Sequence, residues 1–189
     1  MKSAKRLNDL LRRKMFPDFL KAMNNHVDTK EWVECMCMFN IARKILMKKD
    51  YDIILDVGCG KRPTLGTIMA LSYKKPVICI DPQLDKSYAK NINNILLLPM
   101  KLSETEMPIA GRSVLVLCNH SHVSKEEITF FLSRQRKWCY ATCPCCIDNK
   151  LKQGEYVKDI HNWSPKNETF IFYGESRKEP EGEKDGRNN

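Results

Sequence analysis

Residues 53–66 read IILDVGCGKRPTLG. Apolar residues enclose a single acid, Asp56, and the run stops at a turn holding Gly58 and Gly60. Ile53, Ile54 and Val57 are β-branched and favour an extended strand. The two glycines end it and leave the backbone open to a ligand, because no Cβ stands in the way. Pro63 then sits where a following helix would begin. A strand, a glycine turn and a helix form the opening unit of an open α/β sheet, and such sheets bind ligands at that strand end. Two common occupants fit these residues poorly. A phosphate loop needs GxxxxGK followed by Ser or Thr, but Lys61 is followed by Arg62. A dinucleotide fingerprint needs GxGxxG, but Pro63 holds the place of the third glycine. A carboxylate two residues before Gly58 would repel a pyrophosphate and suits a cationic ligand.

The same rhythm continues outward. PVICID, NILLLP, SVLVLCNH and KWCYATC are short apolar runs, each closed by a turn signal, as expected for strands buried on both faces. Helices are expected at about 65–73, 84–91 and 124–135, the last opened by a capping box of Ser124 and Glu127. ETFIFYG (168–174) reads as a sixth strand. Few residues remain for a further one, so a shortened sheet is expected. Upstream, residues 3–24 read as a helix broken near Pro17. Residues 29–48 read as a stronger helix, capped by Asp28, with Trp32, Cys35, Met36, Phe39, Ala42 and Ile45 at helical spacing. The fold class is therefore α/β, a mainly parallel sheet flanked by helices with two extra N-terminal helices. One domain is expected over 1–174, with N-terminal helices to 49 and the sheet from 50. A tail follows from Glu175 that has no apolar residue and reads as disordered.

Composition sets the class. The chain has 189 residues, 42% hydrophobic and 29% charged, enough for one well-filled core and typical of a soluble globular protein. No apolar run reaches the roughly 20 residues of a membrane helix, and the N-terminus lacks the apolar stretch of a secretory signal. Nine cysteines, mostly inside apolar runs, read as reduced core residues. An intracellular location, cytoplasmic or nuclear, is the expectation. The net charge is +9, and residues 1–24 carry seven Lys or Arg against two Asp. A basic body of this kind suits a polyanion such as RNA.

The DVGCG segment (56–60) resembles motif I of the class I, Rossmann-like, S-adenosylmethionine-dependent methyltransferases. VICIDPQ supports the likeness: Asp81 ends the second strand 25 residues after Asp56. The resemblance implies S-adenosylmethionine as cofactor, held by Asp56, Val57, Gly58, Cys59, Gly60, Asp81, Pro82, Met100 and Asn119. Asp56 would meet the ammonium group, Asp81 the ribose hydroxyls, and Met100 with Lys101 the adenine. In this family the residues after strand four face the transferable methyl group. Here they are Asn119-His120-Ser121-His122, not the Asn/Asp-Pro-Pro-aromatic loop of many amino-methyltransferases acting on nucleic acids. LCNHSHV (117–123) with ATCPCC (141–146) is similar in layout to tRNA methyltransferases of the Trm13 type, which implies an RNA acceptor.

The residues themselves allow the following chemistry. His120 or His122 can act as general base, since imidazole titrates near neutral pH. Asn119 can orient the acceptor or the methionyl end of the cofactor. Cys143, Cys145 and Cys146 with His120, His122 or His161 offer zinc ligands, although CxCC is not the usual spacing. No metal is assigned, and a cluster of thiols beside the site is the simpler reading. The competing class is a methyltransferase fold without catalysis, kept as an RNA-binding or protein-interaction module. The oligomeric state is left open.

Overall fold

The computed structural model describes residues 15–26, 28–105, 110–144, 150–151, 155–158 and 168–175. The elements in chain order are α1 (Phe16–Ala22), α2 (Thr29–Lys48), β1 (Ile53–Val57), α3 (Thr64–Ser72), β2 (Val77–Ile80), β3 (Ile95–Leu98), a short 3₁₀ turn (Leu102–Glu104), β4 (Ser113–Asn119), α4 (Lys125–Ser133), β5 (Lys137–Cys143), β6 (Glu155–Lys158) and β7 (Glu168–Glu175).

These strands form one sheet in the order β3-β2-β1-β4-β5-β7-β6. β1 to β5 are parallel, and β7 runs antiparallel between β5 and β6. The mainly parallel sheet read from the apolar runs is therefore present. The shortened sheet is not: the described residues form seven strands, and 168–174 belongs to β7. β6 escaped the sequence reading because its four residues, EYVK, carry little apolar signal and pair only with β7 at the sheet edge.

Alternate side chains divide the core. Ile54, Cys79, Leu115, Leu117 and Ala141 pack under α2 and α3. Leu55, Val57, Ile80, Val114 and Val116 pack under α4 with Ile128, Phe131 and Leu132. The period of two along each strand makes this division. Asp28 caps α2 by accepting from the Glu31 N–H at 2.9 Å, and Ser124 caps α4 by accepting from the Glu127 N–H at 3.2 Å. Phe16 and Phe19 of α1 close on Trp32 of α2, with ring centroids at 5.1 and 4.3 Å.

Pro17 lies in the first turn of α1, where its missing N–H costs nothing; residues 3–14 of the expected helix lie outside the described residues. One helix expectation changes. Residues 84–91 are turns, not a helix. Asp85 Oδ1 accepts from the Ser87 N–H at 2.8 Å, a local bond that competes with helix formation. Ala89 takes φ +53° and its N–H donates to Ala22 O at 2.8 Å, which ties the segment to α1. Among the described residues no helix is long and apolar enough to cross a membrane. The tail after Glu175 lies outside the described residues.

Asn94 joins α3 to the sheet. Its Nδ2 donates to the carbonyl oxygens of Ala70, Tyr73 and Lys75 at 3.1, 2.8 and 3.0 Å, which satisfies acceptors at and beyond the C-terminal end of α3. Asn94→Ala strips these carbonyls of their donor, and the expected loss in urea denaturation is about 2 kcal/mol.

Candidate functional site

The strand order reverses between β1 and β4, so the connections leave their C-terminal ends in opposite directions and open a crevice there. Backbone hydrogen bonds shape it. The Gly58 N–H donates to Ile80 O at 2.8 Å. The Gly60 N–H donates to Asp81 Oδ2 at 2.9 Å, and the Gln83 N–H donates to Asp81 Oδ1 at 2.7 Å. Asp81 therefore ties the glycine turn after β1 to the end of β2. Gly58 and Gly60 both lie in the left-handed region, at φ +70° and +69°. A Cβ on Gly58 would stand 2.1 Å from Ser121 Oγ, whereas a Cβ on Gly60 would meet nothing. The loop after β4 is thus packed directly onto the turn after β1, and buried Ser121 is the contact.

Two cavities flank this turn and share Gly58, Gly60 and His120 as a common wall. The larger, about 440 Å³, is lined by Val57, Asp81, Pro82, Met100, Lys101, Leu102 and His122 among others. The smaller, about 310 Å³, is lined by Glu31, Glu34, Cys35, Asp56, Cys59, Lys61, Arg62 and Asn119 among others. The expected site residues are therefore gathered at one end of the sheet but divided. Val57, Asp81, Pro82, Met100 and His122 face the first cavity, Asp56, Cys59 and Asn119 the second, and Gly58, Gly60 and His120 both.

The second cavity has the unusual electrostatics. Asp56 is buried and accepts from the Gly66 N–H at 2.7 Å through Oδ2. Burial raises its carboxyl from 3.8 to about 7, the Gly66 N–H opposes the rise, and the neighbouring Glu31 and Asp81 add to it. Glu31 is occupied: Arg62 lies 3.0 Å from its Oε2 and the Thr64 hydroxyl donates to its Oε1. Glu34 is held more loosely. Its side chain is 10% exposed, Oε2 lies 3.7 Å from His120 Nε2, and Oε1 lies 3.9 Å from Lys30 Nζ and has no hydrogen-bond partner. Asn119 Nδ2 donates to Cys35 Sγ at 3.6 Å.

His120 takes φ +55°, a left-handed conformation uncommon outside glycine, and its N–H donates to Cys143 O at 2.9 Å. Its Nε2 lies 4.0 Å from Cys143 Sγ. Glu34 and Cys143 thus approach the same ring nitrogen. A nucleophile relay needs its two partners on opposite nitrogens, so these three residues do not form one. Burial raises the thiols of Cys35 and Cys79, hydrogen bonding to Cys79 and then burial raise Cys59, and burial takes Cys118 to about 12. None of the four is poised as a thiolate. Cys145, Cys146 and His161 lie outside the described residues, and among the described residues no group of three His, Cys, Asp or Glu is placed to hold a metal ion.

Glu31, Glu34 and Ser121 were not foreseen as site residues. Glu31 lies in the first turn of α2, next to the Asp28 cap. Glu34 lies off the Trp32-Cys35-Met36-Phe39 stripe, but α2 is buried without a break from Trp32 to Phe39. A lone acid inside the run WVECMCMF was the available signal.

No family model matches this sequence, and no curated protein matches it. Solved structures resemble it. A mutant of MtNAS crystallised in complex with S-adenosylmethionine matches at 10% identity with a TM-score of 0.52, over 93% of this chain and 72% of that one. Coclaurine N-methyltransferase bound to N-methylheliamine and SAH matches at 16% identity and a TM-score of 0.45, over 74% of this chain and 48% of that one. The plantazolicin methyltransferase BpumL in complex with SAH matches at 14% and 0.41, over 74% of this chain and 58% of that one. At such identities the MtNAS likeness is one of fold: the chain has the Rossmann-like α/β architecture anticipated from its strands.

Two stability experiments test this geometry. Gly58→Ala adds both left-handed strain and a clash with Ser121, and should cost about 3 kcal/mol in urea denaturation. Gly60→Ala adds strain alone and should cost about 1 kcal/mol. For Asp56, the folded chain holds a proton that the unfolded chain releases between 3.8 and about 7, so this group's contribution to stability falls as pH rises through that window. Asp56→Asn should flatten the decline when thermal midpoints are compared across those pH values.

Proposed function

We propose that this chain is an S-adenosylmethionine-dependent methyltransferase acting on RNA. The observation that carries the reading is Asp81, a carboxylate clamped between the Gly60 and Gln83 N–H groups at the wall of the 440 Å³ cavity. The residues present fit the cofactor. Each Asp81 oxygen holds one backbone donor and keeps a lone pair for a ribose hydroxyl. Met100 and Leu102 offer apolar contact for an adenine, and the turn at Gly58 and Gly60 lets the backbone approach closely. When bound, S-adenosylmethionine supplies a methyl group already activated by its sulfonium, so the protein's task is alignment and exclusion of water.

His120 stands between the two cavities, where its imidazole can take a proton from an acceptor hydroxyl or N–H. Asn119 lines the second cavity and can orient either partner. RNA as the acceptor is supported by the net charge of +9 and by where lysines fall. Lys61, Lys86 and Lys101 are exposed and, with Lys125, follow the C-terminal ends of β1, β2, β3 and β4, around the crevice. Arg62 contributes less, because Glu31 already neutralises it.

Titration calorimetry with S-adenosylmethionine and S-adenosylhomocysteine tests the cofactor. Micromolar binding is expected, weakened about tenfold, or 1.4 kcal/mol, by Asp81→Ala. A folded wild type that binds neither would leave a methyltransferase fold kept as a binding module. Binding to total tRNA should fall steeply between low and moderate salt if phosphates are contacted. Cofactor binding without tRNA binding would overturn the RNA assignment alone.

A further inference from the structure

The second cavity holds a buried carboxylate, Glu34, whose Oε2 lies 3.7 Å from His120 Nε2 and whose Oε1 lacks a hydrogen-bond donor. Glu34 is nine-tenths buried on α2, and its Oε1 has no hydrogen-bond partner. Lys30 Nζ lies 3.9 Å away, beyond hydrogen-bond reach, on a side chain that is 66% exposed. A buried carboxylate oxygen without a donor is costly, and such a group calls for a partner. The other acids of the cavity are already engaged. Glu31 is held by Arg62 and Thr64. Asp56 gives one oxygen to Gly66, and its raised carboxyl is divided between charged and neutral forms near pH 7. The cavity also carries an exposed cation, Lys61, so it offers both signs of charge. Its common wall with the first cavity, Gly58, Gly60 and His120, allows a single ligand to occupy both.

We infer that the second cavity receives the α-amino-acid end of the cofactor, and that Glu34, rather than Asp56, accepts its ammonium group. The inference rests on the cofactor reading above and adds a residue from α2, outside the glycine turn, to the site. Glu34 offers a carboxyl oxygen without a donor, in the wall of the cavity, to a group with three N–H donors. Lys61 is the cation available to the adjoining carboxylate.

The same chemistry could serve an amine on a separate molecule, and the test separates the two. S-Adenosylhomocysteine carries the amino-acid end, and 5′-methylthioadenosine lacks it. By titration calorimetry, Glu34→Gln should weaken S-adenosylhomocysteine about tenfold and leave 5′-methylthioadenosine unchanged. Binding of both compounds unaffected by the substitution would overturn the assignment and leave the cavity to a separate amine. Failure of the wild type to bind either would instead sink the cofactor reading on which it depends. A third compound guards against a variant that does not fold. Deaminated S-adenosylhomocysteine should bind the wild type about tenfold more weakly than S-adenosylhomocysteine, and equal binding would overturn ammonium recognition without any mutation.

Discussion

The hydrogen bond from the Gly60 N–H to Asp81, 2.9 Å long, holds the functional end of this sheet together. Neither β1 nor β2 fixes the turn between β1 and α3 by itself, because Gly58 and Gly60 have little conformational preference of their own. Asp81 supplies the missing constraint. With the turn held against β2, the Gly58 N–H reaches Ile80 O and the loop after β4 seats Ser121 on the bare Cα of Gly58. Three strand ends are thereby locked at one point. The two cavities share a wall because that point lies between them.

Asp56 and Glu34 show how one functional group takes two characters. Both are buried carboxyls at the same cavity. Asp56 sits deep between β1 and α3 and receives a backbone donor, so its burial raises the carboxyl and leaves it partly neutral. Glu34 lines the cavity from α2, lies 3.7 Å from an imidazole, and keeps one oxygen without a donor. The first carboxyl is satisfied by the backbone, while the second keeps an oxygen open to the cavity. Arg62 and Glu31 form the neutral counterpart, a pair at 3.0 Å whose charges serve each other first.

Strands β1 to β5 were legible because each is an apolar run; β1, β2, β4 and β5 are buried on both faces, while β3, at the sheet edge, is only partly buried. The caps at Asp28 and Ser124 were legible because they are local, formed within three residues. The misreadings share a cause. β6 is a strand because β7 pairs with it, and its own four residues say little. Residues 84–91 have helical spacing but are pulled into turns by Asp85 and by α1. Glu34 was passed over because helical periodicity picks out one apolar stripe, and α2 is buried on every side between Trp32 and Phe39.

The sequence by itself determined the α/β class, the glycine turn after the first strand and the acid at the end of the second. These depend on residue type and short spacing, which are written in the chain. Only the tertiary structure decided that Asp56 turns inward to Gly66, that Ser121 fills the place of a Gly58 side chain, and that Glu34 meets His120 at the second cavity. Those outcomes depend on which burial costs are met by a donor and which are not. That is settled between residues tens of positions apart, only once α2 and the loop after β4 have closed over the same strand ends.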